Sequence, residues 1–316
     1  MVRKLEIEAL KSDLASVRGL IARRTPETDP IGFLQYSSRA EQIERQLEEV
    51  ESLPENKASL AVYFAGAPVQ GSRGIAAGFA GKAVNLFQEL VSKQFATLER
   101  GAMANVGPVP LRGNSDLLLT NVARGSFGVI LEEAESNDSL TESELRVAVA
   151  KVAQDIEGTA QVDATAFEEM LGEVDARYFA TLSQLFKLFD ESNATVRLVE
   201  SQNDISLDSQ AVHRGRERTD AAIVNDDDNI RFSGRLFLLP AARKFELKVI
   251  GTGESIHGNV SSEFTRAHLE RVGVEEIVNR DWMVRLKSRS ITRQNGTTQV
   301  RHTLMGLVET VRTDAT

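Results

Sequence analysis

Residues 230–250 read IRFSGRLFLLPAARKFELKVI, and this stretch decides the fold of the C-terminal third. Ile230, Phe232, Gly234, Leu236 and Leu238 share one parity, and Arg231, Ser233, Arg235 and Phe237 share the other. Side chains alternate between the two faces of a strand, so the pattern predicts a strand with one buried face and one basic face carrying a single aromatic. A Pro-containing turn leads to a second run, Arg243–Ile250, and Glu254–Val260 reads as a third. A helix is expected near Glu263–Val274, then strands at Trp282–Arg293 and Thr298–Leu307 joined through the tight turn at Asn295–Gly296. In the fourth strand Val284 and Leu286 face one way, and Arg285, Lys287 and Arg289 the other.

Three strands, a helix and two strands is the order of an OB-type barrel, in which the face of strands two and three and the loops joining strands 1–2 and 4–5 hold single strands or oligosaccharides. That geometry, with the basic stripe of strand four, nominates Arg243, Lys244, Lys248, Arg285, Lys287, Arg289, Arg293 and Asn295 as an anion-binding set, with Phe237 as its exposed aromatic. Guanidinium and ammonium groups suit phosphates, which dominate non-specific affinity for nucleic acid. Single-strand binders interleave such cations with stacking aromatics, whereas Phe232, Phe245, Phe264 and Trp282 read as core or edge residues. The competing expectation is that the charged face docks on the rest of the chain.

Charge distribution leaves both expectations open. The chain has 316 residues, 41% hydrophobic and 26% charged, with net charge −9. Residues 229–312 hold fourteen Lys+Arg against eight Asp+Glu, a local +6, which leaves −15 for the remainder. Such asymmetry steers anions to one end of a molecule. There is no cysteine, which excludes disulfides and thiol chemistry. The first twenty residues, MVRKLEIEALKSDLASVRGL, are charged throughout, so no secretory signal is expected. No apolar run approaches membrane-spanning length, and a cytoplasmic protein without membrane association is expected.

Upstream of the barrel, apolar residues Leu5, Leu10, Leu14, Val17 and Leu20 predict an amphipathic helix over Arg3–Arg23, and Ser38–Glu51 a second, highly charged one. Together they form a hairpin for self-association or a cap on the next domain. A strand at Leu60–Phe64 runs into a glycine-rich loop and a long helix to Leu98; strands follow at Asp116–Val122 and Ser126–Glu132, helices at Thr141–Glu157 and Ala164–Phe189, and a strand at Thr195–Val199. The polar segment Ser206–Ala222 is helix-compatible, and Asp226–Asn229 reads as a solvated acidic linker, the alternative being a divalent-cation site on its three carboxylates, although consecutive residues without a glycine-shaped loop rarely converge on one ion. The expected class is α+β: an N-terminal helical segment, 1–57; a mixed α/β middle domain, 58–225; and an OB-like barrel, 226–316.

Chemical motifs are sparse. Ala61–Phe87 has a strand, glycine-rich turn and helix order suited to cradling an anion, with Ser72 and Arg73 as donors and Arg124, in the second glycine loop, as a partner for Arg73. It lacks the P-loop pattern, since Ala83 follows Gly81–Lys82 and Ala76 stands where the first glycine belongs. The other reading is close helix packing, because Gly74, Gly78 and Gly81 share one helical face. His213, His257, His268 and His302 form no metal-spaced pair. Glu246–Leu247–Lys248, with Asp228 upstream, has the spacing of one nuclease class. No cofactor is implied.

The stretches AVYFAGAPVQGSRGI (61–75) and RGSFGVILEE (124–133), followed by the barrel, resemble a family of bacterial hypothetical proteins. The resemblance implies a bacterial, cytoplasmic origin and association with multi-protein systems such as phage defence; it brings no activity or site residue. The function expected is non-catalytic: a binding and assembly protein, oligomeric or bound to a protein partner, whose barrel contacts an anion, nucleic acid first. The alternatives are a metal-dependent nuclease or nucleotide-processing enzyme, and a structural subunit whose barrel makes protein contacts alone.

Overall fold

The computed structural model describes residues 2–310 except 54, 72, 102, 104–106, 124–126, 135–142, 202, 240–242, 262–263, 270–273 and 293–295. Two helices, α1 (Arg3–Ile21) and α2 (Pro30–Ser52), form a hairpin. Leu14 packs against Ala40, Ile43 and Leu47, with Ile7, Leu10, Val17 and Ile21 at the margin. The apolar stripe of α1 is thus spent within the chain. Helix α2 begins eight residues earlier than the charge pattern suggests, because Pro30 presets the first turn and Asp29 accepts a hydrogen bond from the Gly32 N–H.

The body is an antiparallel sheet of five strands in the order β4-β5-β1-β6-β7. These are β1 (Ser59–Gly66), β4 (Leu117–Ala123), β5 (Phe127–Glu133), β6 (Ala194–Glu200) and β7 (Asn203–Leu207). The hairpin β2 (Val69–Gln70)–β3 (Gly74–Ile75) stands beside the sheet. On one face Leu60, Val62 and Phe64 enter the main core with residues from α3 (Ala77–Arg100), α4 (Glu144–Ala160), α5 (Thr165–Leu171), α6 (Ala176–Glu191) and α7 (Ser209–Ala221). Phe64, Phe79, Phe87 and Phe189 meet there at tilted or edge-on angles, Phe64 and Phe79 with centroids 5.4 Å apart, arrangements that rings prefer over a flat sandwich. On the opposite face Ala61, Ile130 and Val199 pack under Val2, the N-cap of α1, and under Leu5 in its first turn, so the helical hairpin caps the sheet. Lys4 adds an ion pair to Asp204 at 3.2 Å.

The single helix expected over Ala164–Phe189 is two, α5 and α6, parted at Gly172–Asp175. Asp175 stands at the N-cap of α6 in an extended conformation, yet its carboxylate makes no capping bond; it accepts from the Thr97 hydroxyl and from Lys287 and Arg289 instead.

The barrel is closed, in the order β10-β12-β11-β8-β9, by β8 (Ile223–Leu239), β9 (Lys244–Val249), β10 (Ser255–Val260), β11 (Arg280–Thr292) and β12 (Thr298–Thr310). All neighbours are antiparallel except β10 and β12. Between β10 and β11 come a π-helical turn, Thr265–Leu269, and a short helix α8, Val274–Ile277. Leu236, Leu238, Phe245, Leu247, Val284, Leu286 and Leu304 fill the interior, with Phe264 wholly buried among them. At the parallel seam Gly258 lets the strands meet, for a Cβ there would lie 2.0 Å from the His302 carbonyl oxygen.

The acidic run at 226–229 is not a solvated linker. It lies inside β8, which starts at Ile223 and pairs with β11 on both sides of it. A register shift opposite Leu286–Ser288 marks the place where β8 and β11 leave the barrel. Beyond it Ile291 is fully buried in the main core, with Val224 packed against that core. Body and barrel therefore share a continuous ribbon and part of one core.

Candidate anion-binding face of the barrel

The basic stripe of β11 is divided where the strand leaves the barrel. Arg285 is exposed on the outer face; Lys287 is 3% exposed and Arg289 faces the body. The three donors of the Lys287 ammonium go to the Met103 carbonyl at 2.6 Å, Asp175 Oδ1 at 2.7 Å and Asp226 Oδ2 at 2.9 Å. An ammonium has three donors, so none remains for an outside ligand. Arg289 forks onto Asp226, with Nε to Oδ1 at 2.8 Å and Nη2 to Oδ2 at 3.2 Å, while Nη1 donates to the Glu173 carbonyl at 2.9 Å. Arg301, opposite Arg289 on β12, donates to the Gly172 carbonyl. Arg289 and Arg301 thus donate to two successive carbonyls, Glu173 and Gly172, in the break between α5 and α6. The structure thus turns Lys287 and Arg289, nominated for ligand binding, onto the acidic body.

Burial works against the charges of this network, and the partners prevail. Desolvation opposes the Lys287 ammonium, but Asp175 and Asp226 outweigh it and raise its pKa. Desolvation likewise opposes the Asp226 carboxylate, and Arg289 and Lys287 outweigh it and hold its pKa below the ordinary 3.8.

The remaining cations stand on the opposite side of the division. Across the outer face of β11, β8 and β9, Arg285 lies directly opposite Arg231, and Arg235 opposite Lys248. Arg235 is neutralised by a two-pronged pair with Asp281 on β11, at 3.0 and 3.4 Å. Lys248 stands 5.8 Å from the centroid of the Phe237 ring, within cation–π range. Lys244 ends the face, and Arg243 precedes it in a left-handed turn, φ 47°, its carbonyl accepting from the Val260 N–H. Arg231, Arg243, Lys244, Lys248 and Arg285 are all exposed and have no acidic partner among the described residues. Like charges directly opposed across a sheet are destabilising, and Arg231 and Arg285 keep that arrangement.

Glu246 lies on this face between Phe237 and His257 and accepts from the Ser255 hydroxyl at 2.9 Å. Asp228 is engaged with Lys287 at 3.6 Å. Phe237, the partner of Glu246 in the register, is nine residues beyond Asp228 on β8, about 30 Å at strand rise. The two carboxylates of the nuclease reading are not brought together. Among the described residues no three His, Asp or Glu side chains cluster for a metal ion.

Of the remaining candidates, Arg293 and Asn295 lie outside the described residues, as do Ser72 and Arg124 of the second anion loop. Arg73 is exposed in the β2–β3 turn. The packing role expected for Gly74, Gly78 and Gly81 is overturned: a Cβ at any of them would meet nothing within 4 Å. Close helix packing falls instead at Gly215 of α7, where a Cβ would lie 2.2 Å from the Phe186 ring. Arg231 escaped the sequence-based nomination although its parity was visible, because only the β8–β11 register sets it against Arg285.

No family model, curated protein or solved structure matches this chain, so the resemblance to bacterial proteins rests on the quoted residues alone. Among the described residues no helix is long and apolar enough to cross a membrane.

Proposed function

We propose that this chain is a non-catalytic nucleic-acid-binding protein whose barrel holds the phosphates of a strand along the outer face of β11, β8 and β9. The observation that carries this reading is the set of five exposed cations without acidic partners, two of them opposed as Arg231 and Arg285. A bridging phosphate relieves that repulsion, since a guanidinium pair offers several donors to one anion. The half-buried Phe237 beside Lys248 supplies one stacking surface, where base stacking on an aromatic contributes about 1–3 kcal/mol. With one aromatic, phosphate contacts dominate and sequence preference is weak.

The test is fluorescence anisotropy with a labelled single-stranded 20-mer at 20–200 mM salt. If all five cations engage, the log–log salt slope should be roughly −3 to −4. Lys248→Glu with Arg285→Glu should weaken binding more than tenfold. Absence of binding by the unaltered chain at the lowest salt would refute the reading.

A further inference from the structure

The two edges of the body sheet differ in a way that points to a self-association surface. The β7 edge is short and charged: Asp204 takes a two-pronged bond from Arg197 at 2.7 and 2.6 Å and an ion pair from Lys4. Charges of this kind protect an edge strand from pairing with another chain. Strand β4, Leu117–Ala123, has no ionisable side chain and no proline. It pairs with β5 alone among the described strands. Leu118, Leu119 and Val122 are 53%, 52% and 48% exposed. Its one protective device is a bulge at Thr120, whose hydroxyl is tied to Glu132 on the face of the sheet that α1 caps.

On the helical side, β4 and β5 are left partly uncovered. A trough of about 470 Å³ runs between them and α3, lined by Ala80, Gly81 and Val84 on one wall and Leu119, Val122 and Phe127 on the other. No residue lining it carries a charge, and Gly78 and Gly81 open towards free space.

We infer that β4 pairs antiparallel with β4 of a second copy about a two-fold axis, joining two sheets into one and covering the trough. Two observations favour a second copy over a different partner. An isologous contact sets a patch against itself, so in a chain of net charge −9 it requires a face without charge, which β4 and the trough supply. A different partner steered by complementary charge would find none on this face. An antiparallel two-fold also sends the two copies of Asp116, just before the strand, to opposite ends of the junction. A stable interface buries more than about 1,000 Å² in total, more than a strand edge provides, so the trough belongs to it.

Sedimentation velocity from 1 to 100 µM tests the inference. The unaltered chain should form a species of twice the 34.7 kDa chain mass. Leu119→Lys with Val122→Lys should sediment as a monomer, and Ile31→Lys with Leu34→Lys, on the exposed start of α2, should still dimerise. A monomer at all concentrations, or a dimer lost in the α2 variant and kept in the β4 variant, overturns it. If circular dichroism shows the β4 variant unfolded, hydrogen exchange on the unaltered chain decides. Amides of 117–123 should gain protection as concentration rises, and a dimer without that gain overturns the inference.

Discussion

At the residue scale, Lys287 shows what a lysine does when every one of its donors is consumed inside the chain. Its partners Asp175 and Asp226 are 2% and 1% exposed, so removing the cation leaves two buried carboxylates undercompensated. Breaking a buried pair by removing one member costs about 3–5 kcal/mol, and Lys287→Met should lower the denaturation midpoint accordingly. Acid should reach the same joint. The Asp226 carboxyl is held below its ordinary 3.8 by Arg289 and Lys287 against burial. Its contribution is therefore present above the unfolded value, near pH 4, and lost as pH falls through the folded one. The Lys287 ammonium is raised, so its contribution is complete below the unfolded value near 10.4 and lost as pH rises through the folded one. The joint should be firmest between about pH 4 and 10. Melting curves between pH 3 and 5 should lose part of their slope in Asp226→Asn.

At the element scale, β8 serves two structures in succession. Its first half enters the body core through Val224 and its second lines the barrel with Leu236 and Leu238. The outer face of that second half carries the opposed Arg231 and Arg285. Relief of cross-strand repulsion is worth about 0.2–1 kcal/mol. Arg231→Ser should therefore leave the melting temperature unchanged or slightly raised while weakening nucleic-acid binding. A concurrent loss of stability and binding would instead mark Arg231 as structural. In the seam between β10 and β12, Gly258→Ala would drive a methyl into the His302 carbonyl and the Phe245 ring. Since backbone bounds the space on one side, the barrel should open and lower its melting temperature by several degrees.

At the scale of the whole molecule, the barrel is fastened to the body by two unlike means: apolar burial of Ile291 in the main core and the ionic network around Lys287. Shared core makes units unfold together, whereas an interface of polar contacts alone allows separate motion. The unaltered chain should melt in one calorimetric transition, and Lys287→Met should split or broaden it. The same fastening spends Lys287, Arg289 and Arg301 on the body and leaves Arg231, Arg243, Lys244, Lys248 and Arg285 facing outward. The expectation of docking on the rest of the chain thus holds for the half of the basic face around Lys287 and Arg289, and the other half stays exposed.

The sequence by itself determined the elements whose signal is local. The parity of Ile230–Leu238, the helical spacing of Leu10–Leu14–Val17 and the alternation along β11 each follow from one strand or helix burying a single face, and the strand, helix and strand order then identified the barrel. Tertiary structure decided what those faces meet. Arg285, Lys287 and Arg289 are equivalent by parity, yet one reaches water and two reach Asp175 and Asp226, because β11 outruns the barrel and slides under the helices. The acidic run at 226–229 looked like linker for the same reason: its counter-charges lie some sixty residues away in sequence, at Lys287 and Arg289. A charged side chain in sequence carries no record of its partner, and only the register and the packing of distant segments assign one.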